Sequence, residues 1–236
     1  MTELYVSALH LDRKAIKALK ITDPYSLHRV VYSLFEDVRS EADKHSHIQS
    51  GIVYADQGGE FDGYQPIRKV LMISDRPPAE QVKDEQGNLH GEVMCKSLAE
   101  EFLSHSRYQF KVQVNPVRKD KQTGKRMAIK GREATRQWFI DRAPKSWGFE
   151  VAEKVVKRPE QDPFTESLVQ VDTIEVLQFG GKDQSPITIG KAHIQGTLTV
   201  TDPEQFKQSF KNGIGKGRAF GCGLLQIVPV LYNPFA

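Results

Sequence analysis

Tyr25, His28 and Arg29 fall within one five-residue window and bring together a phenol, an imidazole and a guanidinium. An imidazole titrates close to neutrality and can take or give a proton. A guanidinium matches the charge and geometry of a phosphate. On a helix Tyr25 and His28 are three positions apart, so their side chains are neighbours. Such a set suits a phosphodiester, with His28 for proton transfer and Arg29 for charge stabilisation. The alternative is a surface histidine that happens to lie beside a tyrosine, and these residues alone leave both open.

The element that must position them is readable. Asp23-Pro24 gives an N-cap followed by proline at the first helical position, and the pattern predicts a helix to about Asp43. Leu27, Val31, Leu34 and Val38 then form a core stripe with Val30 and Phe35 on its flanks. Tyr25, His28, Arg29 and Tyr32 fall outside it. The reactive residues sit in or just past the first turn, where the helix dipole favours an anion.

A second constellation lies near the C-terminus. Gly213, Gly215, Gly217, Gly221 and Gly223 alternate with Lys216 and Arg218. Glycine permits close backbone approach and the added cations point to an anionic partner, with phosphate the obvious one. The flanks predict a helix over Asp202–Lys211 and a strand over Leu224–Val228. Rossmann and Walker loops run from strand to helix and use a helix N-terminus; this order is reversed, which argues against nucleotide binding of those types. A tight connector packed on a neighbour is the other reading.

The third is a basic run. From Lys111 to Arg136 stand Lys111, Arg118, Lys119, Lys121, Lys125, Arg126, Lys130, Arg132 and Arg136 against only Asp120 and Glu133. Gln122-Thr123-Gly124 predicts a hairpin turn. The run is either a solvated face or a surface that tracks phosphates.

Composition sets the outer bounds. The 236 residues are 39% hydrophobic with a net charge of +3 and a mean hydropathy of −0.48. No apolar run reaches membrane-spanning length and no secretory leader pattern opens the chain, so a cytoplasmic protein without a membrane role is expected. Cys95 and Cys222 form no metal spacing. His45 and His47 lack ligand partners and read as loop residues; His10 and His193 read as satisfied residues within strands; His90 and His105 say little. No metal or cofactor is expected.

Taken in order, strands are expected at Glu3–Leu11 (Leu4, Val6 and Ala8 on one face), Gly51–Ala55, Ile67–Ser74 and Arg107–Asn115. Gln57–Gly63 reads as a loop, Arg76–Gly91 as a polar excursion and Ser97–Leu103 as a short helix. The alternation of Tyr108, Phe110, Val112 and Val114 is especially clear, and Pro116 ends it. The second half offers a short strand at Arg126–Lys130, a helix at Glu133–Arg142 and strands at Gly148–Val156, Leu168–Phe179 and Ile187–Val200. The pattern predicts an α+β protein of two tandem ferredoxin-like (RRM-like) βαββαβ domains, residues 1–115 and 116–236.

Three motifs in this order resemble one family. Asp23-Pro24-Tyr25-Ser26-Leu27-His28-Arg29 is similar to the first-helix signature of the CasE family, the CRISPR precursor-RNA endoribonucleases of type I-E Cascade within the RAMP superfamily. Val114-Asn115-Pro116-Val117-Arg118-Lys119, continued by Thr123-Gly124-Lys125-Arg126, resembles its Asn-Pro strand end and basic segment, and Gly213–Leu225 its glycine-rich loop. The resemblance implies two ferredoxin-like domains around a basic groove, with His28 and Tyr25 catalytic and Arg29 an active-site arginine. It implies a repeat stem-loop substrate and metal-independent attack by the ribose 2′-OH, leaving a 2′,3′-cyclic phosphate and a 5′-OH. It also implies an enzyme that stays on its product beside other Cascade subunits. Arg118, Lys119, Lys125, Arg126 and Lys130 are then expected to hold RNA by shape and phosphate, and Lys216 and Arg218 to contact it near the cut or brace the helix of His28. The division of acid and base roles between His28 and Tyr25 stays open. The rival expectation is a hairpin-binding Cascade subunit that does not cut; a third, a generic two-domain RRM-like protein for single strands, calls for exposed aromatics on sheet faces, and its only compact candidates, Tyr108 and Phe110, read as core.

Overall fold

A computed structural model describes residues 3–40, 49–156, 164–181 and 185–231. Strands β1 (Tyr5–Asp12), β2 (Ile52–Phe61), β3 (Pro66–Ser74) and β4 (Glu92–Ser97) form one antiparallel sheet in the order β2-β3-β1-β4. Helices α1 (Arg13–Ala18) and α2 (Pro24–Ser33) lie between β1 and β2 in the chain. Strand β5 (Arg107–Val114) opens the second half. It is followed by a hairpin of β6 (Val117–Lys119) and β7 (Arg126–Ala128), then α3 (Arg132–Ser146) and β8 (Phe149–Val151). Strands β9 (Val169–Gly180) and β10 (Pro186–Val200) make a long hairpin, and α4 (Pro203–Asn212) and β11 (Gln226–Pro229) complete the chain. The second sheet runs β8-β10-β5-β11, with β9 also paired to β10.

Counted within its own half, each sheet therefore follows the order 2-3-1-4 of the split βαβ plan, which makes the α+β, tandem ferredoxin-like architecture explicit. Strand β5 is the clean strand its alternation predicts, with Tyr108, Phe110, Val112 and Val114 all buried. It lies between β10 and β11 in the second sheet, however, and the two sheets part within residues 98–106 instead of after residue 115. The fourth strand of the first sheet is β4, an edge strand of mostly exposed side chains, so no burial rhythm marks it in the sequence. The short helix expected at Ser97–Leu103 is a 3-10 turn over Glu100–Leu103. Gln57–Gly63, expected as a loop, continues β2 to Phe61 past a register shift between Asp56 and Gly59.

The buried face of β1 carries Ser7, Leu9 and Leu11, the opposite parity to the expected Leu4, Val6 and Ala8. Leu9 and Leu11 pack with Leu27, Val30 and Val31 of α2 and with Ile52, Tyr54, Val70 and Met72. On the other face Leu4 and Val6 lean on a larger core that holds Val53, Ala55 and Ile73 together with the second half. That core sets Tyr108 and Phe110 against Phe139 of α3, Trp147 just past its end, and Phe206 and Phe210 of α4, and the third reading's exposed aromatics do not exist there. Gln113 Nε2 donates to the Asp56 carbonyl at 2.8 Å, a polar tie between the sheets.

Helix α2 ends at Ser33, ten residues before the expected stop. The Leu34 carbonyl accepts from the Ala79 N–H at 2.7 Å, and the Glu36 carbonyl accepts from Arg76 Nε at 2.9 Å. These partners draw the chain off the helical path, and Val38 is 66% exposed instead of buried in the stripe. No described helix is long and apolar enough to cross a membrane.

Candidate active site

Helix α2 starts as its sequence demands. Asp23 accepts from the Ser26 N–H at 2.7 Å, and the Ser26 side chain reciprocally accepts from the Asp23 N–H at 3.0 Å, a capping box closed by serine. This fixes the first turn, from which Tyr25 and His28 project, both half-buried. The His28 ring lies 4.1 Å from that of Tyr32 and 6.3 Å from that of Tyr25, centroid to centroid. Tyr32 is held in turn by a 2.9 Å hydrogen bond with Ser50 Oγ.

His28 Nδ1 is buried without a hydrogen-bond partner. Protonation would place both a charge and an unsatisfied donor there. Burial first, and the positive charge of Arg39 second, hold the His28 pKa below the ordinary histidine value. The ring is therefore a neutral proton acceptor at neutral pH.

The glycine-rich loop closes on this helix. Phe220 lies 6.4 Å from the His28 ring. It belongs to a 3-10 turn, Arg218–Phe220, bracketed by Gly217 and Gly221 in left-handed conformations. Gly217 is required by its φ of 84°, and a Cβ there would also press on Ile189 Cδ1 at 2.7 Å, which would have to shift. Tyr54 Oη donates to the Ala219 carbonyl at 2.8 Å and Arg218 Nη1 to the Asn212 carbonyl at 2.9 Å, which fasten the turn from both sides. At its ends the loop is sealed by Ile214 N–H to the Gly223 carbonyl (2.8 Å) and Gly223 N–H to the Gln113 carbonyl (2.7 Å), and Gly213 and Gly215 take positive φ along the way. The loop thus braces α2.

Asn115 and Lys216 form an isolated antiparallel bridge, which joins the loop to the start of the basic hairpin. Between them opens a cleft of about 740 Å³ walled by Arg118, Lys119, Arg126, Arg142, Lys216 and Arg218, with no carboxylate among the described residues of its lining. Five of those six cations are expected from the sequence. Arg142 is not, and neither is Trp138, which lines the same wall with its buried Nε1 unpartnered. Both stand on α3 four residues apart, hence on one face, and that spacing was the signal available. Lys125 and Lys130 are outside the lining of the cleft, on or after the hairpin. The hairpin turn itself forms as expected, with Asp120 Oδ1 accepting from the Thr123 N–H at 2.7 Å.

A smaller cavity of about 260 Å³ shares Gln49, Asn212 and Arg218 with the cleft and reaches Tyr32, the ring tilted against that of His28. Arg29 is exposed and is not among the cavity's lining residues, and its charge acts on Glu85 in the Val82–His90 hairpin; Arg39 is the cation that lowers the His28 pKa. Of the other histidines, His90 bonds Asp84 Oδ2 at 2.8 Å and His193 stands 3.9 Å from Glu175. His10, expected to be satisfied, has a buried Nε2 with no partner. His45 and His47 lie outside the described residues. Cys222 is buried, which raises its thiol pKa to about 11 and makes it a poor nucleophile. Among the described residues no group of three or more His, Cys, Asp and Glu is placed to hold a metal ion.

The model of the family described as "CRISPR associated protein" matches residues 4–229. The chain belongs to this CRISPR-associated family. The resemblance read in the three motifs is thereby borne out. A curated relative, CRISPR-associated endoribonuclease Cse3 of Thermus thermophilus, is 28% identical over 125 residues, covering 52% of this chain and 56% of its own. The aligned stretch spans little more than half the length of that relative. Among solved structures, CRISPR endoribonuclease Cse3 bound to a 19-nucleotide RNA is similar with a TM-score of 0.70 and 24% identity, covering 96% of this chain and all of the other. A chain of a CRISPR RNA-guided surveillance complex in a pre-nicking state is similar with a TM-score of 0.58 and 19% identity, again covering 96% of this chain and all of the other. These likenesses agree with the tandem ferredoxin-like fold of this family member.

Proposed function

We propose that the protein is an endoribonuclease that binds the repeat stem-loop of precursor CRISPR RNA, cuts it without a metal ion, and remains on the product as a Cascade subunit in the cytoplasm. The observation that carries this reading is the contact of Phe220 with His28. It joins the imidazole to a loop whose neighbouring residues, Lys216 and Arg218, wall a cleft in which every charged side chain among the described residues is a cation. A-form stems hide their base edges from side chains, so such a cleft reads backbone shape and phosphate.

In the reaction the ribose 2′-oxygen forms a bond to the adjacent phosphorus and the bond from phosphorus to the 5′-oxygen breaks. His28, neutral at neutral pH, accepts the 2′-OH proton. Tyr25, a ring's width away on the same turn, protonates the departing 5′-oxygen and recovers its proton from His28 through water. The products are a 2′,3′-cyclic phosphate and a 5′-OH. The curated relative is named an endoribonuclease, and one similar chain belongs to a surveillance complex, which supports the activity and the assembly.

The test is a repeat stem-loop incubated with the protein in EDTA. Cleavage is expected, and His28→Ala should bind the RNA yet cut it about 100- to 10,000-fold more slowly. RNA held tightly by the unaltered protein and left whole would instead favour the binding subunit without cleavage.

A further inference from the structure

We infer that the 260 Å³ cavity beside Tyr32 is the subsite for one RNA phosphate, held by Arg39 and Lys211, next to the reacting histidine. This deepens the reading that the cleft binds RNA and rests on it.

The lining carries the argument. Arg39, Lys211 and Arg218 stand around the cavity with Gln49, Ser50 and Asn212, and among the described residues no carboxylate lines it. Three cations around one concave space repel each other unless an anion joins them. Arg218 donates to the Asn212 carbonyl, so part of its guanidinium serves the loop. Arg39 Nε pairs with Asp37 Oδ1 at 3.3 Å, a side chain outside the lining. Lys211 stands in the last turn of α4, and the described residues that line the cavity with it are all uncharged or cationic.

Position decides which anion. Gln49, Asn212 and Arg218 belong to both this cavity and the basic cleft, so a strand lying in the cleft can turn into the cavity without leaving cationic surface. Tyr32 forms part of the wall, and its ring lies tilted against that of His28, centroids 4.1 Å apart. Arg39 lines the same cavity as Tyr32, which puts its guanidinium on the His28 side of the cleft. A backbone phosphate is the anion that an RNA in the cleft delivers there. Sequence periodicity hides the pair, because Arg39 lies beyond the end of α2 and Lys211 on a helix in the far half of the chain.

A binding cycle tests this without relying on cleavage. The probe is the repeat stem-loop carrying 2′-deoxyribose to block cutting and a neutral methylphosphonate at one linkage at a time, along the strand 3′ of the stem. For the unaltered protein one linkage should cost about tenfold in Kd when neutralised. In the Arg39→Gln/Lys211→Gln double variant that cost should fall within about twofold, the limit of additivity. Arg39→Lys in an otherwise unaltered chain should retain the sensitivity, which a variant that merely loosened the fold would lose. Equal sensitivity of the double variant and the unaltered protein at every linkage overturns the inference. The outcome is separate from the fate of the functional reading: coupling at one linkage in a protein that does not cut unmodified RNA keeps the subsite and removes the nuclease, whereas cutting without coupling does the reverse.

Discussion

His28 combines a half-buried ring, an orphaned Nδ1 and a nearby guanidinium, and all three disfavour its charged form. A base with a lowered pKa is uncharged over a wider pH range, so cleavage should rise with pH through an acid limb centred below the ordinary histidine value and be level near neutrality. Arg39→Gln removes the one charge among these influences and should move that limb upward; single-turnover rates across pH read both. This residue scale is where the sequence says most. Spacing alone brings Tyr25 and His28 together, since α2 begins where Asp23-Pro24 says it must. It assigns the charge to Arg29, one step on the helix, because nothing in helical periodicity can bring Arg39 back from the irregular chain after Ser33.

The elements that hold the site fail in distinguishable ways. Gly217→Ala forces a side chain into φ 84° and against Ile189, which should cost about 1–3 kcal/mol of stability and dislodge the Arg218–Phe220 turn from α2. Asp23→Ala removes the acceptor for the Ser26 N–H and should cost about 1 kcal/mol, seen as a lowered Tm, with slower cutting as the first turn frays. If Gly217→Ala keeps the Tm and cleavage rate of the unaltered protein, the loop is not the brace described. Alternation made β5 legible to within one residue, yet its sheet was not, because the parity of Tyr108, Phe110, Val112 and Val114 records burial and not which strands lie alongside. Strand β4 left no trace for the opposite reason, being exposed on most of its length.

Across the whole molecule, the basic hairpin and the glycine-rich loop stand far apart in the chain, with α3, the β9–β10 hairpin and α4 between them. The bridge between Asn115 and Lys216 brings them onto one surface, and no local pattern in the sequence announces it. Charge counts cannot separate the members of the basic run either: Arg118, Lys119 and Arg126 line the cleft while Lys125 and Lys130 do not. Arg118→Gln with Arg126→Gln should therefore weaken RNA binding and reduce the slope of log K against log salt by about 0.7–0.9 per lost phosphate contact. Lys125→Gln with Lys130→Gln should leave that slope nearly unchanged.

The most direct measurement is the mass of the upstream fragment after the protein cuts its repeat stem-loop in EDTA. A terminal 2′,3′-cyclic phosphate, absent from reactions with His28→Ala, is the result expected of an imidazole working on one strand in a cationic cleft. A 3′-OH end, or the same fragment formed as fast by His28→Ala, contradicts it.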